Sequence, residues 1–145
     1  MRRGDRRGAS HARPSEENQN REGMQRTTTI RTRATLVREA IAVMQSDHAT
    51  ELTLDDVARQ IPTSRRQLQR CFDEHSDATF RQCLARIRMQ RAAELLTETS
   101  LPVGDIAARV GYRQPAQFAK AFTRAHGIPP TRYRADRDRR FELAA

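Results

Sequence analysis

Apolar residues recur every three or four positions from about residue 34 onwards, which is the spacing of one face of an α-helix. The first such stripe consists of Leu36, Val37, Ala40, Ile41 and Met44. Further apolar stripes occupy, in chain order, residues 54–61, 68–72, 80–96, 103–110 and 118–122. No segment shows the strict alternation of a half-buried strand. The pattern therefore predicts an all-α fold.

Capping signals mark where these helices begin and end. A Ser or Thr followed three residues later by an acid or amide is the capping box that starts a helix. Three such pairs occur: Thr53 with Asp56, Ser64 with Gln67, and Thr79 with Gln82. Proline and glycine indicate the other boundaries, since Pro interrupts helices and Gly closes them. These residues are Pro62 after the second helix, Pro115 in a first turn, and Gly127 at a helix end.

An internal repeat organises the chain into two similar units. The first unit has Leu54, Val57, Ala58 and Ile61, then Leu68 and Phe72 after a turn; the second has Val103, Ile106, Ala107 and Val110, then Phe118 and Phe122. A small residue permits a close helix crossing, and an apolar pair four residues apart seats the second helix on the first. The repeat predicts two helix-turn-helix units, at about 53–76 and 103–127, joined by a linker helix at about 79–98.

The second helix of each unit leaves polar side chains facing outward once its apolar anchors face the core. These outward residues are Arg65, Arg66, Gln69 and Arg70 in the first unit, and Gln114, Gln117 and Lys120 in the second. Arg and Gln are the side chains that contact guanine and adenine edges in bidentate fashion. A generic helical bundle with a solvated polar face is the alternative. Two such faces on a basic chain favour DNA contact.

Charge points to a polyanionic partner. The formal net charge is +9 and the isoelectric point is about 11.1, so nucleic acid is the first candidate and an anionic membrane surface the second. Residues 1–33 carry nine Arg and four acids, a net +5, with few large apolar residues. Such a segment cannot bury enough apolar surface to offset its ordering entropy. We therefore expect a disordered basic tail that makes loose phosphate contacts.

Other chemistry has little support in the sequence. Cys71 and His75 are spaced for a helical metal pair, but zinc needs three or four ligands and no second pair lies nearby. Phosphate-binding glycine loops and paired catalytic carboxylates are also missing from the sequence, so we expect no enzyme activity, metal or cofactor. Two cysteines fit a reducing compartment, and no apolar run is long enough for a membrane span. The sequence thus predicts a soluble, cytoplasmic protein.

Four segments resemble motifs of the AraC/XylS family of transcription regulators. Residues 107–112 (Ala-Ala-Arg-Val-Gly-Tyr), Gln117-Phe118 with Phe122, and residues 126–134 (His-Gly-Ile-Pro-Pro-Thr-Arg-Tyr-Arg) resemble the family's second helix-turn-helix signature. Residues 88–96 resemble its linker helix. The resemblance covers about residues 34–135, leaving residues 136–145 as a C-terminal tail. In size the chain is similar to the MarA/SoxS subgroup, which has no effector-binding domain.

The resemblance implies a function and a binding mode. Family members bind double-stranded DNA as two three-helix subdomains, with recognition helices in successive major grooves, which recur every ~34 Å. A monomer would therefore bind one asymmetric site. The resemblance also implies an activator that recruits RNA polymerase. Two alternatives remain: an architectural DNA-binding protein of low sequence specificity, and an adaptor that binds polymerase or another protein.

The resemblance also assigns roles to individual residues. Base-facing positions are matched by Arg66, Gln69, Arg70, Gln117 and Lys120, whereas Arg65 and Gln114 are adjacent and suited to phosphate. Leu68, Phe72, Phe118 and Phe122 match the structural anchors, as does Arg88, which we expect to pair with Asp105 because a buried charge needs a partner. The sequence departs from the family pattern at Pro62, Thr63, Asp77, Pro115 and Ala116. These departures predict a less regular first turn and fewer base contacts from the second recognition helix.

Overall fold

The computed structural model describes the backbone of residues 16–61 and 63–145, and side chains from residue 32 onwards except Pro62. These ranges contain helices and no strand, so the all-α prediction is confirmed. The helices are α1 (Glu16–Asp47), α2 (Leu54–Gln60), α3 (Arg65–His75), α4 (Phe80–Glu98), α5 (Val103–Arg109), α6 (Pro115–His126) and α7 (Pro130–Ala144).

The chain divides into two units, Met1–Thr32 and Arg33–Ala145. Residues 16–33, part of the predicted basic tail, are helical and belong to α1. The low apolar content of this segment favours disorder, but lengthening an existing helix costs far less than nucleating one, and no proline interrupts residues 15–61. Residues 1–15 lie outside the described residues. The second unit contains the end of α1 and helices α2 to α7.

The first hydrophobic core joins the end of α1 to α2, α3 and the start of α4. Its fully buried residues include Met44, Val57, Leu68 and Phe72. The Phe72 ring meets the Phe80 ring edge-on, with centroids 5.9 Å apart. This core holds the first predicted helix-turn-helix unit, which the structure forms from α2 and α3.

The second hydrophobic core joins the end of α4 to α5, α6 and α7. Leu96, Ile106, Phe118 and Phe122 are fully buried in it. The Phe122 ring packs edge-on against Tyr133 of α7, with centroids 5.3 Å apart. The second helix-turn-helix unit, α5 and α6, thus has a core of its own.

The linker helix α4 serves both cores with different faces. Phe80 and Leu84 belong to the first core, whereas Met89, Ala92 and Leu96 belong to the second. At 3.6 residues per turn these two groups point about 130° apart around the helix axis. The apolar spacing at positions 80–96 predicts a single stripe that does not include Met89, yet Met89 is only 3% exposed. Positions 80–96 therefore form two apolar faces, one for each core.

The capping predictions hold for two of three boxes. Thr53 with Asp56, and Thr79 with Gln82, form reciprocal capping boxes. Hydrogen bonds from Thr53 lower the pKa of the Asp56 carboxyl. Ser64 accepts from the Gln67 N–H at 3.1 Å, but the Gln67 side chain accepts from the Thr63 hydroxyl instead of closing the box. The Ser64 capping box is therefore only half formed.

Helix α7 is longer than the sequence suggested. It continues past Tyr133 to Ala144, so residues 136–144 of the predicted C-terminal tail are helical. Its Arg137 donates to the carbonyl of Leu96 at 2.9 Å and also to that of Thr97. The last carbonyls of a helix lack partners within it. Helix α7 is thus fixed by supplying donors to the C-terminal turn of α4.

Replacing either buried ring by alanine should destabilise the unit it anchors. We expect Phe72→Ala and Phe122→Ala each to lower the free energy of unfolding by about 3–5 kcal/mol, since each empties a fully buried site. Thermal and denaturant unfolding measure this. Phe141→Ala is the matched control because that ring is 67% exposed, and its loss should cost no more than ~0.5 kcal/mol. Equal effects at all three positions would refute the assignment.

Candidate nucleic-acid interface

Helix α3 presents a polar face opposite its buried anchors. Ser64 caps its N-terminus, and Leu68, Cys71 and Phe72 are its buried residues. All four predicted contact residues on this helix are exposed to solvent: Arg65, Arg66, Gln69 and Arg70. Local sequence explains the arrangement, because residues four apart share a helix face and the apolar pair fixes which face is inward.

Helix α6 is built in the same way, with a different cap. Pro115 is in its first turn, Phe118 and Phe122 are buried, and Gly127 ends it in the left-handed conformation with φ of 80°. Gln114 occupies the N-cap position without a side-chain capping bond. Gln114, Gln117 and Lys120 are exposed. The second unit therefore carries a shorter polar face than the first.

A cleft of about 990 Å³ brings the two polar faces together. Arg65 and Gln69 line it from α3, and Gln117 lines it from α6. Helix α4 supplies Arg81, and the α5–α6 turn supplies Arg113. The cleft therefore unites three of the seven predicted contact residues from both units, beside three further arginines, Arg81, Arg88 and Arg113.

A second cavity, of about 300 Å³, lies against the N-terminal half of α3. Arg66 and Arg70 line it together with Arg33 of α1, Ser64 and Gln67. Arg33 is paired with the Glu74 carboxylate, whereas Arg66 and Arg70 are exposed on α3, so this cavity concentrates positive charge on the polar face of α3. Gln114 and Lys120 line neither this cavity nor the central cleft.

Three arginines at these cavities were missed by the sequence interpretation: Arg33, Arg81 and Arg113. Arg113 stands directly before Gln114, so extending the polar face by one residue would have found it. Arg81 follows the Thr79 cap and lies outside the repeat. Arg33 is 31 residues before Ser64 in the chain, and no local pattern relates the two.

Several predicted contact residues have weak partners within the protein. Arg65 lies 3.7 Å from the Asp55 carboxylate, and the Gln69 amide donates to Asp73 at 3.0 Å. Both pairs are exposed, and such contacts contribute only about 0–1 kcal/mol. They can therefore be exchanged for contacts with DNA at small cost.

Arg88 does not pair with Asp105 as the sequence interpretation expected. Its Nε donates to the carbonyl of His48 at 2.9 Å, and its Nη2 donates to that of Thr50 at 2.8 Å. The guanidinium also lies over the Tyr112 ring, 5.8 Å from its centroid. Burial lowers the pKa of Arg88 from its usual value, yet an arginine stays charged at neutral pH. Backbone carbonyls, rather than a carboxylate, therefore accept the hydrogen bonds of this charged group.

Asp105 instead lies in the first turn of α5 and is exposed. A carboxylate there interacts favourably with the positive end of the helix dipole. This explains its position without any partner on α4.

Metal binding has no support within residues 32–61 and 63–145, where no cluster of three His, Cys, Asp or Glu is suitably placed. Cys71 is buried, and this burial raises the pKa of its thiol. The Nε2 atom of His75 lies 3.9 Å from a carboxylate oxygen of Glu74. Among the helices of the described part, none is both long and apolar enough to cross a membrane.

Comparison with known proteins identifies the family. Residues 57–136, more than half of the chain, match a helix-turn-helix domain family of the AraC type. The chain therefore belongs to the AraC/XylS family of DNA-binding transcription regulators. Its relatives are regulators and not enzymes, in keeping with an interface of arginines and glutamines.

Curated relatives match over the DNA-binding part. The chain is 31% identical over 98 residues to the lactose operon transcription activator of Staphylococcus xylosus, covering 68% of this chain and 35% of that protein. It is 30% identical over 94 residues to the regulator GbdR of Pseudomonas aeruginosa, covering 65% of this chain and 26% of that protein. The chain thus spans about a third or less of the length of these relatives.

Solved structures share the fold. The C-terminal domain of AraT, a response regulator from Geobacillus stearothermophilus, is 39% identical with a TM-score of 0.66, covering 70% of this chain and 85% of that one. The DNA-binding domain of AdpA, solved with a target DNA, is 27% identical with a TM-score of 0.65, covering 71% and 93%.

Removing Asp55 should strengthen binding to DNA of any sequence. Asp55 holds Arg65 in an exposed ion pair and adds negative charge beside the cleft. We expect Asp55→Asn to tighten binding about two- to five-fold at low salt, because an exposed ion pair is worth ~0.2–1 kcal/mol. The measurement is a titration against two unrelated duplexes. Glu94→Gln, which removes an equal charge beside Arg91 on α4, should change nothing, and an equal gain there would contradict the prediction.

Proposed function

We propose that this regulator binds a specific, asymmetric DNA site as a monomer, with α3 and α6 in two successive major grooves. The observation that carries the proposal is the central cleft, which Arg65 and Gln69 of α3 share with Gln117 of α6. Each recognition helix is fixed by its own buried aromatic anchor. Because major grooves recur along one face of the duplex every ~34 Å, two such units in one chain replace the symmetry of a dimer.

In this proposal the contact residues divide by side-chain chemistry. Arg66, Gln69 and Arg70 contact base edges in the first groove, and Gln117 does so in the second, since Arg and Gln form bidentate bonds with guanine and adenine. Arg65 and Gln114, at the helix starts, hold phosphates. Lys120 is a compact point charge suited to a phosphate or to one base contact.

We further propose that the bound protein activates transcription by recruiting RNA polymerase in the cytoplasm. Support comes from relatives, one of which is named a lactose operon transcription activator. Transcription by purified polymerase from a promoter carrying the bound site should rise when the protein is added. A fall in transcription would instead indicate repression.

Selection from a randomised DNA pool, with excess competitor DNA, tests sequence-specific binding. We expect enrichment of one asymmetric site, and a footprint of about two helical turns on it. The second candidate is architectural binding, which the net charge of +9 favours. It predicts an unenriched pool and no discrete footprint.

Arg70 and Lys120 should have separable roles on the selected site. Arg70→Ala should relax preference at one or two base pairs of the first segment, because a bidentate contact with guanine is worth ~1–3 kcal/mol of discrimination. Lys120→Ala should weaken all sites nearly equally and lower the salt slope by about one. Titrations against single base-pair variants at two salt concentrations measure both effects. A uniform loss for Arg70→Ala together with altered preference for Lys120→Ala would reverse the roles.

A further inference from the structure

Arg88 lies on α4 at the point where the helix passes from one core to the other. Leu84, one turn earlier, belongs to the first core, and Met89, the next residue, belongs to the second. The Arg88 side chain is half-buried, and no carboxylate pairs with it among the residues that the structure describes. Its position and its contacts therefore need an explanation other than an ion pair.

On one side, Arg88 holds the loop between α1 and α2. Both of its hydrogen bonds go to carbonyls of this loop, at His48 and Thr50. Leu52, two residues on, is buried in the first core, and Thr53 caps α2. The guanidinium thus fixes the segment from which the first helix-turn-helix unit begins.

On the other side, Arg88 contacts the turn between α5 and α6. Its guanidinium lies over Tyr112, whose ring packs edge-on against Phe118, the buried anchor of α6, at 5.7 Å. This series of contacts runs from the first unit to the core of the second recognition helix. A guanidinium over an aromatic ring is attracted to it electrostatically, more strongly where water is partly excluded.

The two segments also approach each other directly. Gly111 has φ of 91°, and a Cβ there would lie 2.7 Å from the carbonyl oxygen of His48 and 3.0 Å from Nε of Arg88. Only glycine permits this approach. Next to it, Arg113 pairs with Glu51 at 2.7 Å across the same gap. That pair is exposed and adds little by itself, so Arg88 is the principal link.

We propose that Arg88 is a positioning residue that fixes the placement of one helix-turn-helix unit relative to the other, and so determines which spacing between two DNA segments the protein accepts. The inference rests on the two-groove binding proposed above. Inserting one base pair moves the second segment by ~3.4 Å and rotates it by ~34° about the duplex axis. A rigid junction cannot follow that rotation, whereas a loosened junction can.

The test uses the selected site with zero, one or two base pairs inserted or deleted between its segments. Affinities of the wild-type chain, Arg88→Met and Arg91→Met are compared across this panel. Methionine keeps most of the side-chain volume and removes both hydrogen bonds. Arg91→Met removes the same charge from the same helix, where Arg91 pairs only with the nearby Glu94 among described residues.

We expect the wild-type chain and Arg91→Met to lose about tenfold or more in affinity per inserted base pair, comparable with a mismatch. Arg88→Met should lose less than about threefold on the same insertions, because the loosened units can follow the shifted groove. Preference for individual bases within each segment should be unchanged in Arg88→Met. A merely structural role would lower stability and overall affinity while leaving the spacing penalty intact.

Arg88→Lys provides a second variant if Arg88→Met fails to fold. Lysine retains the charge but cannot donate to two carbonyls from one planar group, so it should also relax the spacing preference. A folded Arg88→Met or Arg88→Lys with the full wild-type spacing penalty would overturn the inference and leave two-groove binding standing. A wild-type chain that binds all spacings equally would overturn both.

Discussion

The whole arrangement depends on one helix being shared by two hydrophobic cores. Helix α4 buries Phe80 and Leu84 with the first unit and Met89, Ala92 and Leu96 with the second, on two different faces. Neither unit can leave α4 without exposing apolar surface, which costs about 25 cal/mol per Å². The shared helix therefore keeps two small helix-turn-helix units together, although aromatic residues form only 5% of the chain.

Sharing a helix fixes proximity but leaves the contact between the units to polar groups. Where α4 changes faces, the loop after α1 meets the turn before α6, and Arg88 connects them through two carbonyls and the Tyr112 ring. The positive φ of Gly111 lets the backbones approach closely. The same junction lies beside the cleft that holds the polar faces of α3 and α6. The contacts that join the two cores therefore also lie next to the polar faces of α3 and α6.

Local patterns predicted much of this structure. Apolar spacing identified the helices, and the buried anchors Leu68, Phe72, Phe118 and Phe122 determine which side chains of α3 and α6 are exposed. Long-range features were not predictable. The acceptors of Arg88 are backbone carbonyls 38 and 40 residues away, and carbonyls carry no sequence signature. Along the sequence, the apolar positions of the two α4 faces interleave and read as a single stripe. The length of α7 depends on contacts between arginines and the end of α4.

Base-methylation interference on the selected DNA site would test the central claim most directly, which is that two linked units contact two major grooves from one chain. A methyl group on guanine N7 projects into the major groove and excludes a helix that lies against that base, whether or not the guanine is itself hydrogen-bonded, and it leaves the phosphates in place. The account predicts two clusters of interfering guanines, about one helical turn apart on one face of the duplex, with one protein chain bound. A single cluster, two clusters on opposite faces, or two chains per site would contradict it.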